Sequence, residues 1–232
     1  KRSEAEIHIR QGAGKVLFSS PAEANVDATI VFGLNEHLLS KNTAIVSNAS
    51  CTTNCICHVI DALDRSFGIE SGIITTIHSV MNDQPVIDAY HHSDLRRTRS
   101  SSASIIPVET GLAFGIGRIL PELQGRFQAL SLRVPVTNVS IMQLAARTKI
   151  QVEKDAINRA LLEYAGKKPE VMGYTEEPLV SCDYIHDTRS SIVDGTQTRI
   201  VDGNLLTVMA WCDNEWGYAN RMLDTAEKMT GA

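Results

Sequence analysis

Cys51 is the residue whose type and position most clearly suggest chemistry. A short apolar run at residues 44–47 predicts a strand, and helical periodicity begins at Cys51, with Ser47, Asn48 and Ser50 as candidate caps. A thiol at a helix start lies at the positive end of the helix dipole, so we expect its pKa to be lowered. The neighbouring backbone N–H groups could hold an oxyanion on an attacked carbonyl. The alternative is a buried cysteine without chemistry.

Cys55 and Cys57 lie close enough to Cys51 for a metal site to be considered. On a helix Cys51 and Cys55 share a face, but Cys57 lies about 600° further round than Cys51, or about 240° net. His58 points in another direction again. Four ligands therefore cannot converge tetrahedrally, and the sequence predicts no metal site.

A nucleophilic thiolate needs a base, and histidine is the obvious source. The nearby candidates are His58, His78, His91 and His92, and the more remote ones are His8, His37 and His186. His78 ends an apolar run at the start of a long polar loop, where active-site side chains often gather, so we favour it. The alternative is a polar strand end with satisfied hydrogen bonds.

Composition restricts the possible functions. The chain has 232 residues and a net charge of −5, which argues against a nucleic-acid binder that relies on bulk charge. No apolar run approaches the length of a membrane span, and residues 1–6 do not resemble a signal peptide. Five cysteines, an odd number, argue against a disulfide framework and favour a reducing cytoplasm. The chain does not begin with Met, so we expect that a preceding segment was removed.

The apolar pattern predicts an α+β protein with two kinds of sheet. Residues 1–50 alternate helical and strand patterns, with strands at 15–19, 28–33 and 44–47, and are typical of the end of a Rossmann-type parallel sheet. Residues 51–216 predict a catalytic domain with an antiparallel or mixed sheet. Its predicted strands lie at 72–78, 129–134, 139–148, 191–194, 197–201 and 205–211, and helices are predicted at 51–67 and 153–165. Residues 217–232 predict a last helix that packs back on the first domain.

One string is highly specific. Ser47-Asn-Ala-Ser-Cys-Thr-Thr-Asn-Cys55 resembles the active-site signature of the glyceraldehyde-3-phosphate dehydrogenase superfamily. Further similar strings follow in order, among them Thr75-Thr-Ile-His-Ser79, Asp94-Leu-Arg-Arg97, Arg133-Val-Pro135 and Trp211-Cys-Asp-Asn-Glu-Trp-Gly-Tyr218. The resemblance covers the whole chain.

The resemblance implies a role for each matching position. Cys51 becomes the nucleophile and His78 the base that activates it. The phosphate-binding or substrate-binding positions are Ser50, Thr52, Arg97, Thr110, Gly111 and Arg133. Ser19, Asn214 and Tyr218 fall near the nicotinamide of NAD. The resemblance further implies a small phosphorylated aldehyde as substrate and a homotetramer when the chain is full length.

Within the superfamily the chain resembles the D-erythrose-4-phosphate dehydrogenases. Met81 stands where glyceraldehyde-3-phosphate dehydrogenases typically have a threonine whose hydroxyl helps to hold phosphate, and a thioether cannot donate that hydrogen bond. This implies water as acyl acceptor and a place in pyridoxal phosphate synthesis. The alternatives are a phosphorylating glyceraldehyde-3-phosphate dehydrogenase, and a cysteine hydrolase or acyltransferase that uses the same pair without nicotinamide. No G-x-G-x-x-G follows a strand, so we expect this chain alone to bind NAD weakly and to have little activity.

Overall fold

The computed structural model describes residues 1–91 and 94–231, so the candidate base His92 and the final residue of the predicted last helix lie outside the described residues. The first part of the chain contains α1 (Arg2–Arg10), β1 (Val16–Phe18), β2 (Ala28–Thr29) and β3 (Ile45–Ser47). The elements that follow are α2 (Cys51–Phe67), β4 (Ile69–His78), β5 (Ile106–Val108), α3 (Leu112–Ile119), β6 (Phe127–Arg133), β7 (Ser140–Thr148), α4 (Lys154–Lys167), β8 (Met172–Thr175), β9 (Ser191–Val201), β10 (Leu205–Cys212) and α5 (Trp216–Gly231).

The strands form the two sheets that the sequence predicts. β1, β3 and β2 form a parallel sheet in the order β1-β3-β2, and the larger sheet has the order β5-β6-β4-β7-β10-β9-β8. In the larger sheet β4 pairs with β6, and β8 with β9, in parallel, while the other neighbours are antiparallel. The predicted α+β class with a mixed sheet beside a parallel one is therefore confirmed.

Helix α2 forms the centre of the molecule because it packs against the sheet on one side and against α3 and α4 on its flanks. Its residues from Thr53 to Leu63 are all buried. Alternate residues of β7 face this helix layer, with Met142, Leu144 and Ala146 buried. The same alternation in β4 leaves Ile73 half exposed and buries His78 at the end of the strand. His78 is thus delivered to the covered face of the sheet.

Two predicted strand boundaries are wrong. Residues 28–33 do not form one strand, because β2 ends at Thr29 and the Asn35 amide then bonds the Val31 N–H and the Thr29 carbonyl, which holds a turn. The predicted strands 191–194 and 197–201 are the single strand β9, which pairs with β10 on both sides of an irregularity. The edge strands β5 and β8 were not predicted, because β5 has only three residues and β8 only four.

Helix α5 begins at Trp216, and the carboxylate of Asp213 just before it accepts the backbone N–H groups of Glu215 and Trp216. The helix then returns to the three-stranded sheet. Met229 packs there against a small cluster that includes Ile30 and Val46. The chain end therefore contacts the parallel sheet formed by its beginning.

His58 lies in α2, fully buried, and takes no part in the arrangement around Cys51. Burial lowers its pKa to about 3, and the nearby Lys168 acts in the same direction. His58 is therefore a neutral residue of the core and does not act as the base for Cys51.

Acid should weaken the fold through His58. An unfolded histidine binds a proton below about pH 6.5 while the buried ring does not, so the free energy of unfolding should fall as pH drops from about 6.5 towards 3. His58→Gln should reduce that dependence by up to about 1.4 kcal/mol per pH unit. Urea unfolding at several pH values between 7 and 4 measures it, with the exposed His8→Gln as control. Equal pH dependence in the wild type and His58→Gln would contradict the expectation.

Candidate active site

The start of α2 is built by a capped turn that places Cys51 as the first helical residue. Ser50 is the N-cap, and its hydroxyl accepts the Thr53 N–H at 3.0 Å. Ala49 before it has a positive φ of 55°, and Ser47 holds the Ala49 N–H at 3.1 Å. A residue other than glycine in this region is uncommon and is typical of positions where local structure serves a site.

Cys51 and His78 meet in space as the sequence suggests. The sulfur of Cys51 lies 3.7 Å from Nε2 of His78, and the opposite ring nitrogen, Nδ1, lies 2.8 Å from the carbonyl oxygen of Ser79. A ring that donates from Nδ1 to that carbonyl presents a lone pair on Nε2 to the thiol. The third nearby candidate, His91, instead accepts the backbone N–H of Asp94 in the loop. Among the histidines that the structure describes, His78 is the one in contact with the sulfur of Cys51.

The expectation of a lowered thiol pKa is wrong. Burial raises the pKa of the Cys51 thiol to about 11, although the Thr52 N–H and the Arg133 charge both act to lower it. Burial likewise lowers the pKa of His78 to about 4. At neutral pH the pair is therefore a thiol beside a neutral imidazole, which is the form that can accept the thiol proton.

Arg133 lies beside His78 because the two residues pair across the parallel strands β6 and β4. Its Nη1 atom is 3.0 Å from Nδ1 of His78. The side chain is half buried, and burial lowers the pKa of its guanidinium, which nevertheless stays charged. The sequence places Arg133 among the phosphate-binding residues, and the structure adds a direct contact with the base.

Four further residues predicted to bind phosphate are brought together at one cleft. Ser50, Thr52, Thr110 and Gly111 all line a cavity of about 210 Å³. Two helices begin there, since Ser50 caps α2 and Gly111 caps α3. Backbone N–H groups at two helix starts and three hydroxyls suit an anion. Cys51 itself is not among the residues that line the cleft.

Arg118 lines the same cleft and was missed in the sequence. Its guanidinium donates to the carbonyl oxygen of Ala22 at 2.8 Å, which ties α3 to the loop after β1. Arg118 follows Gly111 by two helical turns, so a helical reading of residues 111–118 could have placed both on one face.

Arg97 is not brought to the cleft. It belongs to a short 3-10 helix, Leu95–Thr98, and forms ion pairs with Asp83 at 2.9 Å and with Asp94 at 3.3 Å. Arg97 and Asp83 are still close enough to influence the pKa of Arg133. Arg97 therefore contributes to the charge balance of the site from the loop that follows His78.

The three residues predicted to lie near nicotinamide are placed differently, and only Tyr218 bonds the segment that leads into α2. Asn214 is nearly buried, and its side-chain oxygen accepts the hydroxyls of Ser79 and Ser140 at 3.0 and 3.1 Å. Tyr218 donates to the carbonyl oxygen of Ala49 at 2.9 Å, and Ser19 is exposed just after β1.

These residues fit the nicotinamide end of NAD. The two hydroxyls fix the Asn214 amide, whose nitrogen remains as a donor of the kind that a carboxamide oxygen needs. With no glycine-rich turn after a strand, we assign no residue of this chain to the adenine half.

Among the described residues, no group of histidine, cysteine, aspartate and glutamate is arranged to hold a metal ion. None of the helices within residues 1–91 and 94–231 is long and apolar enough to cross a bilayer.

The thiol of Cys51 contacts a neutral imidazole, which the guanidinium of Arg133 also contacts, and a thiol paired with a base in this way is the arrangement that nucleophilic cysteines need. The family model for the C-terminal domain of glyceraldehyde 3-phosphate dehydrogenase matches residues 50–214, from the N-cap Ser50 to Asn214. The chain belongs to the glyceraldehyde 3-phosphate dehydrogenase family. Its members are NAD-dependent oxidoreductases that act on phosphorylated aldehydes, and they are typically homotetramers.

Proposed function

We propose that the protein oxidises D-erythrose 4-phosphate to 4-phosphoerythronate with NAD. The observation that carries this choice is Met81, which lies three residues after His78 and is 42% exposed in the loop. The related glyceraldehyde-3-phosphate enzymes typically place a threonine hydroxyl there. Without that donor the site has one phosphate contact fewer, which favours a substrate and an acyl acceptor that do not depend on it.

Cys51 supplies the covalent step. As its sulfur attacks the aldehyde carbon, Nε2 of His78 accepts the thiol proton and returns it to the carbonyl oxygen, which gives a hemithioacetal. His78 then accepts the hydroxyl proton, and a thioester remains on Cys51. Bound NAD supplies the hydride acceptor for this oxidation.

His78 also serves the release of product. His78 first releases to solvent the proton that it took from the hydroxyl. A water molecule then attacks the thioester while Nε2 takes one of its protons, and the thiolate of Cys51 leaves and recovers that proton. The phosphate of the substrate is held by Arg133 and by the cleft at the starts of α2 and α3, where hydroxyls and backbone N–H groups favour an anion.

The test compares two aldehydes in the full-length enzyme. NADH formation is expected to be faster with D-erythrose 4-phosphate than with glyceraldehyde 3-phosphate, and to proceed without inorganic phosphate. Met81→Thr should raise activity with glyceraldehyde 3-phosphate about fivefold, the effect of one hydrogen bond of ordinary net strength, whereas Met81→Leu should not. A strict phosphate requirement together with a preference for the three-carbon aldehyde would overturn the assignment.

A second candidate is a phosphorylating glyceraldehyde-3-phosphate dehydrogenase. The observation that favours it is the cleft lined by Ser50, Thr52, Thr110 and Gly111, which has room and donors for an inorganic phosphate beside the helix of Cys51. The same comparison of aldehydes with and without phosphate separates the two candidates, because only this one requires phosphate to release the thioester.

We further infer a homotetramer in the cytoplasm that serves pyridoxal phosphate synthesis. Members of the family are typically homotetramers, which supports the tetramer. The absence of disulfides among the five cysteines supports a reducing compartment. Sedimentation of the full-length protein tests the first inference, and growth of a deletion strain without pyridoxine tests the pathway.

A further inference from the structure

The ring nitrogen Nδ1 of His78 has two partners that it cannot satisfy together. The carbonyl oxygen of Ser79 lies at 2.8 Å and accepts a hydrogen bond, so it requires a proton on Nδ1. Nη1 of Arg133 lies at 3.0 Å and can only donate, so it requires a lone pair on Nδ1. A neutral imidazole carries one proton, so the two contacts correspond to two different tautomers.

The two tautomers differ in what they offer Cys51. With the proton on Nδ1, the ring is bonded to Ser79 and Nε2 carries a lone pair towards the sulfur at 3.7 Å. With Arg133 donating to Nδ1, the proton lies on Nε2, and that nitrogen cannot take a proton from the thiol. Only the first tautomer can act as a base towards Cys51.

The guanidinium of Arg133 also has unused donors with which it can bind an anion in place of the imidazole. No carboxylate among the residues that the structure describes forms an ion pair with it, and its Nε atom is buried without a hydrogen-bond partner there. A guanidinium with unused donors binds an anion more strongly than it binds a neutral ring, because charge-assisted bonds are the stronger ones. An anion that pairs with the side of the guanidinium that includes Nη1 therefore competes with Nδ1 for this donor.

We propose that Arg133 is a positioning residue that sets the tautomer of His78, so that an anion drawn to its guanidinium turns the imidazole into the base for Cys51. When the anion binds, Nδ1 gains a proton and turns to the Ser79 carbonyl, while Nε2 loses one. The exchange passes through solvent and has no net proton change. The identity of the natural anion as the phosphorylated substrate rests on the proposed function, but the gate itself requires only Cys51, His78 and Arg133.

Alkylation of Cys51 by iodoacetamide tests the gate without substrate or NAD. In this reaction a carbon–sulfur bond forms, iodide leaves and His78 takes the thiol proton. The rate therefore measures the population of the tautomer that carries its proton on Nδ1. Inorganic phosphate at constant ionic strength is expected to accelerate alkylation of the full-length wild type about fivefold, the change produced by one hydrogen bond of ordinary net strength. Arg133→Met should react without phosphate as fast as the phosphate-loaded wild type, and phosphate should not change its rate.

Two control variants show where the effect arises. Arg147→Met removes an arginine that is exposed on β7 and bonded to Asn204, so its response to phosphate should match that of the wild type. His78→Asn should abolish the response, because the gate acts through the ring. In histidine labelled with ¹⁵N, the shifts of His78 should show a proton on Nε2 without phosphate and on Nδ1 with it.

The opposite result overturns the gate. If Arg133 acts only as a positive charge that favours the thiolate, Arg133→Met will be slower than the wild type, and phosphate will slow the wild type. The response of the wild type alone decides the matter if Arg133→Met does not fold. If the enzyme oxidises the aldehyde but phosphate slows the alkylation of Cys51, the gate is refuted and the proposed function stands. If phosphate accelerates alkylation but the enzyme does not oxidise the aldehyde, the gate stands and the proposed function is refuted.

Discussion

Replacing Cys51 with serine is expected to lower kcat for aldehyde oxidation by about 10⁴-fold or more, the scale seen when a catalytic nucleophile is removed. The hydroxyl of serine is a far weaker nucleophile than a thiol that passes its proton to His78 at 3.7 Å. The fold should be unaffected, because the backbone N–H groups at this helix start are capped by Ser50 and not by the side chain at position 51. NADH formation under substrate saturation measures the effect.

Cys182→Ser is the matched control for this variant. Cys182 is exposed and lies in the short 3-10 helix Ser181–Tyr184, so its replacement removes a thiol without touching the helix start. It should retain full activity. A Cys51→Ser enzyme with nearly normal turnover would show that the oxidation does not pass through a thioester on this sulfur.

The local parts of the fold could be predicted because the sequence signals them locally. Helix α2 begins where Ser50 offers a cap and ends where Gly68, with a φ of 66°, closes it. The pairing of Cys51 with His78 could also be predicted from the sequence. Cys51 lies at a helix start and His78 at a strand end, and both would then lie at one edge of the sheet.

Other features depend on contacts between distant segments and are invisible in a periodicity. The pKa of Cys51 is one, because the burial that raises it to about 11 comes from the surrounding elements and outweighs the helix start. The hydrogen bond from Arg118 to the carbonyl oxygen of Ala22 is another, since it joins residues far apart in the chain. The contact of Arg133 with His78 required the register between β4 and β6, which sequence alone does not fix.

Replacing His78 with asparagine is expected to reduce kcat by about 10²–10⁴-fold, the usual contribution of a positioned general base. Asparagine keeps a polar side chain near the Ser79 carbonyl but cannot accept a proton. The thiol of Cys51, with its pKa raised to about 11, would then have to lose its proton to solvent. His186→Asn is a suitable control, because His186 is exposed and has a positive φ of 68° that asparagine tolerates.

The pH dependence separates a lost base from a damaged site. In the wild type, the pKa of His78 near 4 and that of Cys51 near 11 predict a rate that changes little between about pH 5 and 10, because both groups stay in their reactive neutral forms. In His78→Asn only the ionised thiol reacts, so kcat/KM should rise about tenfold per pH unit up to the thiol pKa. A flat and merely lower profile in the variant would mean that His78 orients groups without moving a proton. A wild-type rate that rises steeply through pH 7 would mean that burial perturbs these two pKa values far less than the geometry implies.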